Sequence, residues 1–120
     1  MKKLLITLLL ISPFSFADWG DVYYCEMTIS EGISQQGKRT NYKLEKFSFK
    51  LDKTKNAMVF GKKGYFEDSE IPLTGYHYVS SEIWGGTGSY SKTYFGDGTF
   101  LYVSTGPMGN FSMIADCEKF

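Results

Sequence analysis

Few side chains in this sequence are suited to catalysis. His77 is the only histidine among the 120 residues, so any serine–histidine–carboxylate arrangement must use it. A Gly-x-Ser-x-Gly elbow, which presents a nucleophilic serine on a sharp turn, does not occur. Cysteine catalysis needs a reactive thiolate, and the two cysteines, Cys25 and Cys117, are expected to be oxidised. We therefore predict that this protein is not an enzyme.

Metal ligands are equally sparse. Zinc sites combine several cysteine and histidine side chains, which a single histidine and an oxidised cysteine pair do not supply. Calcium prefers oxygen ligands, and Glu67, Asp68 and Glu70 offer carboxylates, but the spaced Asp/Asn/Gly loop of a dedicated site is missing. We interpret these three residues as a solvated acidic turn and expect no metal and no cofactor.

The first 17 residues have the pattern of a secretory signal peptide. Lys2 and Lys3 form the charged part, residues 4–11 are apolar, and residues 15–17 read Ser-Phe-Ala before the expected cut. We predict cleavage after Ala17, a single domain over residues 18–120, and a periplasmic or secreted location. The apolar run is too short to span a bilayer, and no second stretch of about 18 apolar residues follows. No stable membrane insertion is expected.

Export also bears on the cysteines. Cys25 and Cys117 lie near opposite ends of the predicted domain and are the only two thiols in the chain. Exported proteins meet an oxidising compartment, in which such a pair is expected to form a disulfide. The bond would join the first strand of the domain to the last.

Composition favours an all-β domain. Removing residues 1–17 leaves 103 residues, with 11 basic and 13 acidic side chains, so no basic field calls for a nucleic-acid partner. Aromatic residues and glycines are abundant, and flat rings pack well on a pleated surface. Apolar residues alternate with period two, as in β-strands, and no helical repeat is present after residue 17.

Turn signals divide the domain into seven or eight short strands, an antiparallel meander that we expect to close into a barrel and so hide its edges. Tyr23, Cys25, Met27 and Ile29 are predicted to share one face of the first strand. After the first strand we predict a loop at 31–41 and a hairpin at 42–61 with a bulge at 45–46. Weak strands are predicted at 65–70 and 71–74, followed by a strand at 76–84 and a break at 85–88. A hairpin of 89–95 and 99–105 around Gly-Asp-Gly and a closing strand at 110–117 complete the predicted domain.

Positive charge is concentrated in one part of the chain. Residues 38–63 hold nine of the 11 basic side chains of the predicted domain, and residues 64–120 are net negative. We interpret this as a solvent-facing hairpin whose lysines prevent edge-to-edge aggregation. The alternative is a basic surface for anionic envelope polymers or an acidic partner.

Three short segments, at 71–72, 74–78 and 84–86, carry a family resemblance. They read Ile-Pro, Thr-Gly-Tyr-His-Tyr and Trp-Gly-Gly. They resemble the periplasmic and membrane-bound inhibitors of C-type lysozyme, small exported bacterial barrels with a Leu-Pro step, a Ser-Gly-x-x-Tyr motif and a Trp-x-Lys-Gly strand end. The placement of the two cysteines is also similar.

The resemblance implies a barrel whose loop, containing Thr74, Gly75 and Tyr78, enters the lysozyme cleft, with Trp84 at the strand end that follows. These four residues are the predicted partner-binding residues. Thr74 stands where the family has serine and keeps the hydroxyl group. The family's lysine after the tryptophan is missing, because Gly85 and Gly86 follow Trp84.

The sequence thus predicts an exported, non-enzymatic binding module whose target is an unknown envelope or extracellular protein or polymer. One alternative is a C-type lysozyme inhibitor, which is the sharpest form of the same idea. Another is a lipocalin-like carrier, which would need an apolar cavity open at one end of the barrel.

Overall fold

The computed structural model describes residues 17–73, 84–87 and 90–120, and all regular secondary structure in these ranges is β-strand. The strands are β1 (Val22–Ser34), β2 (Arg39–Asn41), β3 (Lys46–Asp52), β4 (Ala57–Phe60), β5 (Glu70–Pro72), β6 (Trp84–Thr87), β7 (Ser91–Gly96), β8 (Thr99–Gly106) and β9 (Gly109–Lys119). No helix in these ranges has the length and apolar character needed to cross a bilayer.

The strands form one antiparallel sheet that curls almost into a circle. Its order is β5-β4-β3-β1-β9-β8-β7-β6, with the short β2 added beside β1. The two outermost strands, β5 and β6, contact each other and so bring the ends of the sheet together. The fold is therefore a nearly closed eight-stranded barrel, which confirms the predicted all-β architecture and leaves little exposed sheet edge.

The long pairing of β1 with β9 joins the two halves of the chain. Cys25 lies directly opposite Cys117 in this ladder, and the two form a disulfide with Cα atoms 4.0 Å apart. The register shifts between Met27 and Ile29, which is a β-bulge. The extra residue reverses the side-chain alternation, so Ser30 is buried and Ile29 is 45% exposed. The prediction that Ile29 shares the inner face of Cys25 is therefore wrong.

Several local predictions also need correction. Residues 31–34 continue β1, and residues 31–33 pair with β2. The predicted loop shrinks to a turn at 35–38, because backbone pairing does not require an apolar pattern. Residues 65–68 form turns and not a strand, and β3 begins at Lys46, so residues 42–45 of the predicted hairpin are not strand. Gly85 and Gly86 lie within β6 and do not break it. Residues 76–83 of the predicted strand at 76–84 lie outside the described ranges.

Both predicted hairpins are present. Strands β3 and β4 pair across the turn at 53–56, and β7 and β8 pair around Asp97 and Gly98. Asp97 and Gly98 have φ values of 52° and 76°. Positive φ at both central residues is the backbone of a type I′ turn, which matches the twist of a two-residue hairpin.

Aromatic rings fill the interior of the barrel. Phe49, Phe95 and Phe100 are at most 1% exposed, and the ring centroid of Phe49 lies 5.1 Å from that of Phe95 and 5.7 Å from that of Phe100. Edge-to-face and tilted rings at such separations attract each other beyond the gain from burial. Phe66, from the segment after β4, adds a ring 4.6 Å from Phe60. The interior of the barrel is therefore filled by side chains across its width.

Candidate functional site

Strand β5 ends and strand β6 begins at the same end of the barrel, which we call the loop end. Thr74, Gly75, His77 and Tyr78 lie outside the described residues, between Leu73 and Trp84. The two residues that flank this segment are described. Leu73 belongs to the core, and Trp84 packs against it.

Leu73 anchors the first flank. Its backbone N–H donates to the carbonyl oxygen of Asn56 at 2.9 Å, and the Asn56 side-chain amide donates back to the Leu73 carbonyl at 3.1 Å. Leu73 is also 7% exposed and belongs to the core. Asn56 has a φ of 52° in the turn between β3 and β4, a conformation that asparagine tolerates better than most residues. The turn thereby positions the start of the segment.

Trp84 anchors the second flank. Its indole meets that of Trp19 edge to face, with ring centroids 4.8 Å apart, and both residues pack against the core. Its ring N–H is buried and has no hydrogen-bond partner among the residues that the structure describes. The sequence placed Trp84 among the partner-binding residues. Its position is at the base of the segment, where the indole packs and supports the chain.

The N-terminal residues of the described chain also meet the loop end. The Asp21 carboxylate accepts a hydrogen bond from the backbone N–H of Asp18 at 2.8 Å and forms an ion pair with Lys119 at 3.3 Å. The Gly20 N–H donates to the carbonyl of Leu51 at 2.7 Å. These contacts hold Trp19 against Trp84.

The positive charge of residues 38–63 is partly neutralised by neighbouring acidic side chains. Lys46 pairs with Glu26 at 3.4 Å and Lys55 with Glu70 at 3.0 Å, and Arg39 lies 3.8 Å from Glu31. Exposed pairs of this kind contribute little stability, typically about 0–1 kcal/mol. These ion pairs do place negative charges among the positive ones, so the surface is less uniformly basic than the sequence pattern predicts. The acidic residue Glu70 belongs to one of these pairs.

A groove of about 710 Å³ crosses the outer faces of β1, β3 and β9. Its charged lining is mixed: Glu26, Asp116 and Glu118 on one hand, Lys46 and Lys63 on the other. A mixed lining does not favour a ligand of either charge. Within the described ranges, no group of three or more histidine, cysteine or acidic residues is arranged to hold a metal ion.

The opposite end of the barrel carries a feature that sequence reasoning missed. Four rings, those of Tyr42, Tyr65, Tyr102 and Phe111, meet there, and we call this group the aromatic mouth. Phe111 lies 5.7 Å from Tyr42 and 6.2 Å from each of the other two, between ring centroids. The four come from separate elements, so no spacing in the sequence could have brought them together.

Comparison with known proteins adds no further assignment. No family model matches the chain, and no curated protein or solved structure matches it significantly.

Proposed function

We propose that this protein is an exported, non-enzymatic binding module whose recognition element is the segment 74–83. The observation that carries the proposal is the pair of fixed flanks: Leu73 is hydrogen-bonded to Asn56, and Trp84 is packed on Trp19. Binding elements held on a rigid scaffold lose less conformational entropy when they meet a partner. The target is an envelope or extracellular protein or polymer, not a nucleic acid.

Export is part of the proposal and rests on the signal-like residues 1–17 and on the disulfide. A bond between Cys25 and Cys117 is typical of an oxidising compartment. Cleavage after Ala17 would convert the Asp18 amide, 2.8 Å from the Asp21 carboxylate, into an α-ammonium. The existing hydrogen bond would then become a charge-assisted one, roughly twice as strong. Intact mass of protein taken from the periplasm or medium, with and without reductant, tests both features.

The packed interior supports recognition on the outside of the barrel and not carriage inside it. Phe95 and Phe100 each contact Phe49 across the centre. A lipocalin-like carrier needs an apolar cavity there. The carrier alternative therefore has less support than binding through an end of the barrel.

C-type lysozyme is the sharpest candidate target. Its cleft works with two carboxylates, and a neutral hydroxyl such as that of Thr74 can donate a hydrogen bond to one of them. The missing lysine after Trp84 removes a charge-assisted contact, so we expect weak inhibition. Lysis of cell walls by this enzyme, with the protein in molar excess, should slow. The double variant Thr74→Ala, Tyr78→Ala should remove the effect, and Tyr90→Ala, at the far end of the barrel, should keep it.

The broader proposal has its own test. A photo-crosslinking residue at position 77 in the exported protein should trap a partner, whereas the same residue at exposed Lys50 on β3 should not. Adducts at position 77 without any lysozyme inhibition would discard the inhibitor and keep the binding module. An absence of adducts at position 77 would overturn the assignment of segment 74–83.

A further inference from the structure

Two tyrosines of the aromatic mouth are exposed to solvent. Tyr42 is 50% exposed and Tyr65 is 39% exposed, and the rings of Tyr65 and Phe111 are parallel to within 10°. Large aromatic residues on a monomer surface that cluster in this way mark a binding surface more often than isolated ones do. Tyrosine also places a hydroxyl beside each apolar face.

A cleft of about 240 Å³ opens between Tyr42 and Phe111. None of its lining residues carries a formal charge: they are Gly32, Ile33, Ser34, Thr40, Tyr42, Met108, Gly109, Asn110 and Phe111. The lining combines hydroxyl and amide side chains with apolar ones. The volume lies below the range of about 300–1,000 Å³ that is usual for drug-sized ligands. The cleft therefore suits a single ring of a longer, chain-like ligand.

Gly32 makes the cleft possible. A β-carbon at this position would lie 3.2 Å from Cε2 of Tyr42 and 2.9 Å from the carbonyl oxygen of Asn110. The Tyr42 ring can therefore lie this close to the backbone of β1 because residue 32 has no side chain. The backbone N–H of Tyr42 donates to the Ser30 carbonyl at 2.8 Å, which fixes the position of the Tyr42 backbone.

Tyr65 is held equally firmly. Its N–H donates to the Lys46 carbonyl at 3.2 Å, and the next residue, Phe66, places its ring 5.2 Å from Phe47 in the core. Burial raises the pKa of the Tyr65 hydroxyl, and the nearby Tyr102, Glu45 and Tyr42 raise it further. The Tyr65 phenol thus stays protonated at neutral pH and can donate a hydrogen bond.

We propose that the aromatic mouth binds a neutral glycan chain, with sugar rings resting on Tyr42, Phe111 and Tyr65. A pyranose ring has C–H groups on its faces, which suit the electron-rich face of an aromatic ring, and hydroxyls around its edge. Those edges meet the tyrosine hydroxyls, Ser34, Thr40 and Asn110. The site lies at the opposite end of the barrel from Leu73 and Trp84 and uses no residue of segment 74–83, so either proposal can fail without the other.

The probe is a fully acetylated chitooligosaccharide titrated into the oxidised protein and followed by calorimetry and by tyrosine fluorescence. We expect saturable binding that Tyr42→Ala and Tyr65→Ala each weaken about ten-fold, equivalent to about 1.4 kcal/mol. Tyr24→Ala is the matched control, because Tyr24 is 52% exposed and lies away from the mouth. That variant should bind like wild type, as should the Thr74→Ala, Tyr78→Ala double variant.

Further variants keep the test decisive if an alanine variant fails to fold. Tyr42→Phe and Tyr65→Phe retain the rings and should retain most of the binding. Gly32→Ala should weaken it by displacing the Tyr42 ring. The deacetylated, cationic oligosaccharide should gain no affinity over the acetylated one. Absence of saturable binding, preference for the cationic chain, or binding unaffected by the Tyr42 and Tyr65 variants would each overturn the proposal.

Discussion

Gly86 lies directly against the carbonyl oxygen of Pro72, with no room for a β-carbon between them. The contact joins β6 to β5, the two strands that complete the circle of the barrel. A side chain at this position would also meet Cγ2 of Ile71 at 2.7 Å. The closure of the barrel therefore depends on a residue without a side chain.

Gly86→Ala should destabilise the protein, because the methyl group must push apart two backbone segments. Overpacking of this kind typically lowers the free energy of unfolding by about 1–3 kcal/mol. For a domain of this size, each kcal/mol moves the melting temperature by roughly 4–8 °C. Thermal unfolding followed by circular dichroism measures the change. Gly106→Ala is the matched control, since a β-carbon there meets nothing within 4 Å, and an equal loss in both variants would contradict the argument.

Loss of the disulfide should destabilise the fold more. The bond spans 92 residues of sequence between Cys25 and Cys117, and restricting so long a loop in the unfolded chain is expected to contribute about 2–5 kcal/mol. Cys25→Ser should show this loss in denaturant titrations. Reduced wild type should match the variant, and a variant as stable as oxidised wild type would mean that the bond contributes nothing.

A single backbone cut in segment 74–83 should leave the barrel assembled. The halves before and after the cut remain joined by the β1–β9 ladder and by Cys25–Cys117. An engineered protease site after Gly75 allows the test by gel electrophoresis. The cut protein should migrate as one species without reductant and as two with it. An unchanged circular dichroism spectrum after the cut would show that the fold survives, and loss of the β-sheet spectrum would contradict the prediction.

Stability should fall at alkaline pH. Burial, and then the charge of Asp21, raise the pKa of Tyr23 above its usual value of 10.0, and burial raises that of Tyr65 likewise. The folded state therefore binds these protons more tightly than the unfolded state. Their contribution is complete below about pH 10 and declines as the pH rises through the raised values. Chemical unfolding across this range measures the decline, which Tyr65→Phe should make shallower; a steeper or identical decline would contradict the assignment.

The sequence predicts the architecture better than its details, for physical reasons visible at particular residues. Period-two alternation indicates which strand residues are buried, and Gly-Asp-Gly indicates a tight turn. The hairpin around Asp97 and Gly98 was therefore predictable from local sequence. The bulge before Ile29 was not, because it depends on how β1 fits β9, far away in sequence. Gly86 was misread as a strand breaker because its role comes from Pro72, a contact that only the closed barrel creates.

The candidate sites also differ in whether they could be predicted from the sequence. The cysteine pair followed from the signal-like pattern of residues 1–17 and from the presence of two cysteines, both of which can be read from the sequence. The aromatic mouth did not, since Tyr42, Tyr65, Tyr102 and Phe111 stand at unrelated intervals and meet only in the folded chain. Trp84 was noticed as part of a motif, but its packing against Trp19 depends on the path of the N-terminal segment.

The position of the disulfide also determines how the domain responds to tension. Cys25 and Cys117 lie side by side on the strands nearest the two ends of the domain. Stretching the chain from those ends loads the paired residues outside the cysteines and then the sulfur–sulfur bond, which shields most of the chain between the cysteines from the force while it is intact. An oxidised molecule pulled between two anchors would lengthen mainly by the short segments outside the cysteines. A reduced one would have to resist through the hydrogen bonds that β1 makes with β9 and with β3.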